Sequence, residues 1–190
     1  MTGVGSAELE TSAAALLQGV VDYAGLFPPA ALSMPDALRE YAAASDDGDA
    51  WMLARFVVPA SRLGELRAHA RGDRPLHLSV IVTDGSESER AAIADLATHA
   101  SPPIIVDAIE CKPKGIESLE WLAQAFSGCD VYVEIDPASD LDTWFARLAG
   151  RGLRAKIRTG GTVATAFPPA SAVIAFMAAA LRARVPFKAT

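Results

Sequence analysis

The stretch Leu153–Gly161, LRAKIRTGG, concentrates the residues of this chain that are best suited to chemistry. In an extended strand, successive side chains face opposite sides. Arg154, Lys156 and Arg158 therefore share one face of a predicted strand, and the apolar residues between them share the other. Three cations on one face can attract the carboxylate or phosphate group of a small molecule.

A glycine turn follows this strand, formed by Thr159, Gly160 and Gly161. Glycine lets backbone N–H groups approach an anion closely, so the turn could complete an anion site next to Arg158. The other interpretation is an ordinary turn that needs glycine because its backbone adopts a positive φ. The sequence leaves both interpretations open.

Strands and helices alternate regularly from about residue 52 onward. Predicted strands begin near Met52, His77, Pro103, Asp130, Leu153 and Pro186. A helical segment fills each interval, and this alternation predicts parallel strands joined by crossover connections. Two further helices are predicted before the first strand, from Ser6 to about Val21 and from Ser33 to about Ala44, with a loop at 22–30 between them.

The polarity of the strands distinguishes between two parallel architectures. An open doubly wound sheet is covered by helices on both faces, so its strands are continuously apolar. Here apolar and polar residues alternate, as at 76–83 and 131–135, which predicts a polar barrel interior. The predicted fold is therefore α/β, a TIM-type (β/α) barrel with about six strands and two N-terminal helices.

Residues 1–190 are predicted to form a single barrel domain. A complete barrel has eight strands, so we expect this one to be incomplete and truncated at its C-terminus. An incomplete barrel leaves an open strand edge, which folded proteins normally avoid. The alternatives are a partner chain that covers the edge, or a fold that is not a closed barrel.

The candidate site residues lie near the predicted C-terminal ends of the strands, where barrel active sites occur. Cations exceed anions there, although the whole chain carries a net charge of −6. The residues expected to bind an anionic substrate are Arg55, Lys112, Arg158, Thr159, Gly160 and Gly161. The residues expected to be catalytic are Glu110, Glu134, Lys156 and Lys188.

Lys188 is the candidate nucleophile. It has the inward parity of the last predicted strand, one strand away from Lys156, and a second ammonium in a setting of low polarity lowers the pKa of a lysine. The alternative is a structural lysine paired with Glu134. Glu110 and Glu134 are candidate proton shuttles, or they neutralise Lys112 and Lys156.

A metal site is the other use of the carboxylates. Asp84, Glu110, Glu134 and Asp136 could together hold a divalent cation, which prefers oxygen ligands. The local excess of cations opposes this, so we expect neither a metal nor a cofactor.

The composition bounds the class of protein. A hydrophobic fraction of 51% with 21% charged residues predicts a folded globular domain. No basic run indicates a nucleic-acid partner, and the longest apolar stretch, 172–181, is too short to span a membrane. Cys111 and Cys129 fit no metal-ligand spacing, so a reduced, cytoplasmic compartment is expected. The expected partners are a small anionic substrate and, where the open edge is covered, a second copy of the chain.

Four segments resemble a family of uncharacterised bacterial (β/α)-barrel proteins. They are DYAGLFPPA at 22–30, RFVVPA at 55–60, KIRTGG at 156–161 and VPFKAT at 185–190. Members of that family continue beyond the last segment, which implies that this chain is a fragment.

The residues Phe187-Lys188-Ala189-Thr190 are also similar to class I aldolases of the deoxyribose-phosphate type. That resemblance implies a Schiff-base lysine at Lys188. Those aldolases carry a second lysine on their seventh strand, and in its place this chain offers only Lys156 on the fifth predicted strand.

The expected function is that of an enzyme acting on a small carboxylated or phosphorylated carbonyl compound, as a carbon–carbon lyase with a Schiff-base lysine. The alternatives are a non-catalytic small-anion binding or scaffold protein and a metal-assisted, enolase-like lyase. We also expect Glu134 to lie within ion-pair reach of Lys156 or Lys188, because all three have inward parity and neighbouring strands are ~4.8 Å apart.

Overall fold

One parallel sheet organises the fold. The structure, a computed structural model, describes residues 12, 14–99 and 102–190. In this part of the chain seven strands form one sheet in sequence order, and every neighbouring pair is parallel. The strands are β1 (Val21–Tyr23), β2 (Leu53–Pro59), β3 (Leu76–Val82), β4 (Ile104–Cys111), β5 (Asp130–Glu134), β6 (Arg154–Ile157) and β7 (Phe187–Ala189).

An α-helix lies in each connection between consecutive strands. Ser33 caps the first of them, because its side chain accepts a hydrogen bond from the backbone N–H of Asp36. Asp140 caps the fifth in the same way, accepting from Thr143. The helices are α1 (Met34–Ala44), α2 (Leu63–His69), α3 (Glu87–His99), α4 (Leu119–Ala125), α5 (Leu141–Ala149) and α6 (Ala170–Ala183).

The prediction of a TIM-type barrel with about six strands is wrong. The sheet has a seventh strand, β1, in the segment that was predicted to be the end of a helix and a loop. The described residues 14–17 are helical, but Val21–Tyr23 is extended, and the predicted helix start at Ser6 lies outside the described residues. A strand of three residues is too short for its alternation to be recognised in a sequence.

The sheet is also not closed. β1 and β7 are its two edges, and among the described residues no backbone pairing joins them. The edges nevertheless approach each other, because Nζ of Lys188 on β7 lies 2.8 Å from Oδ2 of Asp22 on β1. The sheet is therefore strongly curled, with a concave face between its edges.

The two faces of the sheet differ in polarity, as the alternating pattern predicted. The apolar face carries Phe56, Leu78, Ile109 and Val133, all fully buried in one hydrophobic cluster with side chains of the helices. The alternate residues on the concave face include the buried polar residues Ser79, Glu110, Glu134 and Lys156. The helices thus stabilise one face, and the other face is free to hold charged groups.

Among the described residues, no helix combines the length and the apolar character needed to cross a lipid bilayer.

We expect Phe176→Ala, in α6, to destabilise the fold by about 3–5 kcal/mol. Phe176 is fully buried and contacts the rings of Phe145 and Phe187 edge-on, at centroid distances of 5.1 and 5.8 Å. The matched control is Leu181→Ala in the same helix, which is 72% exposed and should change the free energy of unfolding by no more than about 0.5 kcal/mol. Urea unfolding followed by circular dichroism measures both, and equal effects would contradict this description of the core.

Candidate functional site

A continuous network of ion pairs occupies the concave face. Residues that are paired across parallel strands point to the same side of the sheet, so the register of β4 to β7 sets the network. Glu110 pairs with Tyr132 and then Arg154, whereas Glu134 pairs with Lys156 and then Lys188. The ion-pair network consists of Asp22, Arg55, Glu110, Lys112, Asp130, Glu134, Arg154, Lys156, Arg158 and Lys188.

Glu110 is the centre of this network and is only 2% exposed. Its Oε2 lies 2.8 Å from Nζ of Lys156, and its Oε1 lies 2.5 Å from Nζ of Lys188. The buried hydroxyl of Ser79 donates a further hydrogen bond of 2.7 Å to Oε1. Burial alone would raise the pKa of Glu110, but the two ammonium groups together lower it to about 2. Glu110 is therefore ionised at neutral pH.

Glu134 links the buried centre to the exposed end of the network. Its carboxylate lies 3.2 Å from Lys156, 3.3 Å from Arg158 and 3.4 Å from Lys112. The prediction that Glu134 lies within ion-pair reach of Lys156 is confirmed. Burial opposes ionisation, but Lys156 and Arg158 lower the pKa of Glu134 below its ordinary value.

Lys188 lies between two carboxylates. Its Nζ is 2.5 Å from Glu110 and 2.8 Å from Asp22, and it sits 4.9 Å from the centre of the Tyr132 ring. Burial favours the neutral amine, but Glu110 and Asp22 raise the pKa of Lys188 above its ordinary value. The expectation of a lowered pKa is wrong, because Lys156 shares the Glu110 carboxylate with Lys188 and two carboxylates outweigh one neighbouring ammonium.

Arg55 and Arg154 form the inner end of the network, where the strands begin. Arg55 lies 3.8 Å from Asp22 and 3.4 Å from Asp130, and Arg154 lies 2.6 Å from Asp130. Both guanidinium groups are therefore engaged by carboxylates. Arg55, which was expected to bind substrate, lies in the network but not at its exposed end.

A cleft opens at the exposed end of the network. It has a volume of about 370 Å³ and lies where β4, β5 and β6 end. The side chains of Lys112 and Arg158 are 70% and 56% exposed there, so each keeps donors available to a ligand. We call this the mouth cleft, and its lining residues are Lys112, Glu134, Ile135, Asp136, Pro137, Ala138, Arg158, Ala166, Phe167, Pro168, Pro169 and Ala172.

The glycine turn borders the mouth cleft without lining it. Thr159 donates its backbone N–H to the carbonyl of Thr190, at 2.6 Å. Neither Gly160 nor Gly161 has a positive φ, so the interpretation that this turn needs glycine for a positive φ is wrong. A Cβ on Gly161 would lie 2.7 Å from the Cβ of Ala166, so glycine is needed there for the close approach of the next segment.

A larger cavity, of about 610 Å³, lies at the opposite end of the strands. It is lined by Leu53, Leu76 and His77, where β2 and β3 begin, and by no member of the ion-pair network. Two of its polar side chains, Arg74 and Asp46, pair with each other at 2.5 Å. Parallel sheets bind ligands at the carboxyl ends of their strands, so the mouth cleft is the better candidate site.

The structure thus brings seven of the predicted site residues into one network: Lys188, Glu134, Lys156, Glu110, Arg158, Lys112 and Arg55. Sequence reasoning missed three partners, Asp22, Ser79 and Asp130. The inward parity of β3 and β5 could have identified Ser79 and Asp130, but Asp22 lies on the unrecognised strand β1. The network holds six cations and four carboxylates, a net charge of +2, which agrees with the predicted excess of cations.

The carboxylates that were considered for a metal have other partners. Glu110 and Glu134 are bound by lysine and arginine, and Asp84 and Asp136 accept hydrogen bonds from the backbone N–H groups of Ser86 and Ala138. In the described part of the chain, no three residues of the metal-ligating types are grouped so that they could hold an ion.

We expect Glu110→Gln to destabilise the fold by about 3–5 kcal/mol at pH 7, because it leaves two buried ammonium groups short of a charge partner. Glu134→Gln should cost less than half as much, because Lys112 and Arg158 are exposed to solvent and Lys156 keeps Glu110. Urea unfolding of the two variants measures the difference. Equal costs would show that Glu134 is as important as Glu110 to the network.

The same variant should change the dependence of stability on pH. The pKa of Glu110 in the folded protein is about 2, below the ordinary 4.5, so its stabilising effect is complete above pH 4.5 and is lost as the pH falls toward 2. We therefore expect the free energy of unfolding of the wild type to decline more steeply between about pH 5 and pH 2 than that of Glu110→Gln. Urea midpoints measured across this range test it, and parallel curves would contradict the assignment.

The mouth cleft and the ion-pair network are the features from which a function has to be inferred. Comparison of the chain with protein-family models, with curated proteins and with solved structures gives no match. The two resemblances stated from the sequence therefore stay predictions, and the support for a function comes from the geometry of the site.

Proposed function

We propose that this protein is an enzyme that acts on a small anionic carbonyl compound and breaks or forms a carbon–carbon bond through a Schiff base on Lys188. The observation that supports this most is the position of the Lys188 Nζ, 2.5 Å from Glu110 and 2.8 Å from Asp22. An amine needs a nearby base to accept its proton before it attacks a carbonyl, and here two carboxylates are within hydrogen-bond distance.

The proton on Lys188 determines how such a reaction would begin. The raised pKa of Lys188 means that its amine is protonated at rest. Loss of this proton to solvent by way of Asp22 or Glu110 would free the amine, which attacks the carbonyl carbon of the substrate. Loss of water then gives an iminium ion. When the β-hydroxyl of the substrate loses its proton to a base, the bond between the α and β carbons breaks, an aldehyde leaves and the electron pair stays on the Schiff base as an enamine. Protonation of the enamine carbon and hydrolysis release the second product and Lys188.

Glu110 is the better candidate for the proton shuttle than Glu134. Glu110 contacts Lys188 directly, whereas Glu134 contacts Lys156 and the two exposed cations. Lys156 contacts both carboxylates and is a positioning residue in this proposal, because its ammonium group is buried between them.

Lys112 and Arg158 are the proposed anion-binding residues. They line the mouth cleft, and most of each side chain is exposed. Lys188 does not line this cleft, so the carbonyl of a substrate held there has to reach past Glu134 and Lys156. This requirement favours an extended substrate over a compact one.

A second candidate function is binding of a small anion without catalysis. The observation that favours it is that Lys188 contacts two carboxylates, which raise its pKa and hold it in the charged form that cannot attack a carbonyl. Lys112 and Arg158 would then be the functional residues, and the buried network would support them.

Borohydride trapping distinguishes the two candidates. We expect incubation with keto acids or sugar phosphates and borohydride to add the mass of the reduced substrate to Lys188, and Lys188→Arg to abolish the adduct while keeping a cation beside Asp22 and Glu110. Lys114→Met is the matched control, because Lys114 is an exposed lysine that does not line the mouth cleft. Saturable binding without any adduct would establish the second function instead.

We also expect the rate of trapping to rise about tenfold per pH unit between pH 7 and pH 9, because only the neutral amine reacts and the pKa of Lys188 is raised. A set of timed borohydride quenches analysed by mass spectrometry measures this rate. A rate that is independent of pH in this range would mean that the amine is already neutral, contrary to the contacts of Lys188.

A further inference from the structure

The mouth cleft has two chemically different walls. One wall is cationic, with Lys112 at the end of β4 and Arg158 after β6, both in contact with the Glu134 carboxylate. A second wall is apolar and is formed by the segment from Ala166 to Ala172 at the start of α6. A ligand that fits both walls needs an anionic group and an apolar group.

Phe167 is the main element of the apolar wall. It is 58% exposed, although an aromatic ring of this size normally gains from burial. Pro168, Pro169 and Ala172 continue the same wall and carry no charge. The exposed ring is therefore available to pack against the apolar part of a ligand in the cleft.

The glycine turn explains how the apolar wall is positioned. The Cβ position of Gly161 is 2.7 Å from the Cβ of Ala166, and that of Gly160 is 3.8 Å from the Phe167 ring. A side chain at Gly161 would push the wall away from the strand end that carries Arg158, whereas a Cβ at Gly160 would make only an ordinary van der Waals contact with the ring. The motif Thr159-Gly160-Gly161 thus affects ligand binding indirectly, because it sets the width of the cleft.

Two carboxylates oppose the cations of the cleft: the buried Glu134, which already contacts Lys112 and Arg158, and Asp136. The lining includes Asp136, which is exposed and accepts a hydrogen bond from the backbone N–H of Ala138. Its carboxylate weakens the attraction of Lys112 and Arg158 for an anion. Neutralising Asp136 should therefore strengthen anion binding, whereas neutralising a cation of the cleft should weaken it.

The size of the cleft sets the scale of the ligand. A volume of about 370 Å³ falls in the range of ~300–1,000 Å³ that is typical of pockets for organic ligands of moderate size. A three-carbon acid would contact the cationic wall but leave the Phe167 ring exposed. A ligand with a ring or a branched chain would contact both walls.

We propose that the ligand of the mouth cleft is an amphipathic keto acid, whose carboxylate binds Lys112 and Arg158, whose aromatic or branched apolar group packs on Phe167 and whose keto group lies on a chain long enough to reach Lys188. The acids used in the test below probe the two walls and not the reaction at Lys188. The proposal names the substrate class for the proposed function and rests on it for the role of the keto group. Binding of the acid is measured separately from formation of the Schiff base, so the two proposals can fail independently.

The test is calorimetric titration of the wild-type protein with phenylpyruvate and with pyruvate, without borohydride. We expect phenylpyruvate to bind at least tenfold more tightly than pyruvate. Phe167→Ala should remove most of this difference by weakening phenylpyruvate alone, whereas Arg158→Gln should weaken both acids and Asp136→Asn should strengthen both. The control is Leu181→Ala, which removes an exposed apolar side chain that does not line the cleft and should change neither affinity.

Equal affinities for the two acids, or an unchanged preference in Phe167→Ala, would overturn the proposal, as would the absence of binding by either acid. Urea midpoints equal to the wild type for Phe167→Ala and Arg158→Gln would show that the variants are folded. A clear preference for phenylpyruvate, without a borohydride adduct from any of the keto acids or sugar phosphates in the trapping experiment, would support the two-walled cleft while rejecting the Schiff-base function. An adduct at Lys188 without a preference for phenylpyruvate would support the Schiff-base function and reject the two-walled cleft.

Discussion

The buried carboxylate of Glu110 is the interaction on which the concave face depends. Taking an ion out of water costs several kcal/mol, and the cost is recovered only where opposite charges and hydrogen bonds are well placed. Glu110 has both, since Lys156, Lys188 and Ser79 all contact it. Lys156 in turn contacts Glu134, which leads to the exposed end of the network, and Lys188 contacts Asp22 on the edge strand β1. One buried carboxylate thus requires a chain of further charges.

The division of the sheet into two faces follows from the same constraint. Helices pack on the apolar face, where Phe56 and Ile109 are fully buried, and the polar network uses inward positions on the other face. Such a network specifies its own geometry, because each carboxylate has more than one cation and a shift of one strand by one residue would reverse every side chain. Within the network, the two cations with more than half of their side chain exposed are Lys112 and Arg158, at its outer end.

Alternation along the strands made the polar face and its cations predictable, because parity in a strand is a local property of the sequence. Lys156, Glu134 and Glu110 were identified in this way, and so was the contact between Glu134 and Lys156. The partner of Lys188 was not predictable, because Asp22 lies on a strand of three residues with too little pattern to recognise. Closure of the sheet depends on how closely its two edge strands approach each other. The alternation of residues within a strand carries no information on that distance. The role of Gly161 was missed for a similar reason, since its need for a small residue comes from Ala166 in the next segment.

The contact between Lys188 and Asp22 joins residues 166 positions apart, on the two short edge strands. Contacts of such large sequence separation carry a high loop-closure entropy and form late in folding. Short edge strands are also among the first elements to open in the native state. The contacts that keep Lys188 protonated therefore exist only when the sheet is fully assembled. Fraying of either edge strand would break the contact with Asp22 and make the amine easier to deprotonate, while the helix-covered core stays folded.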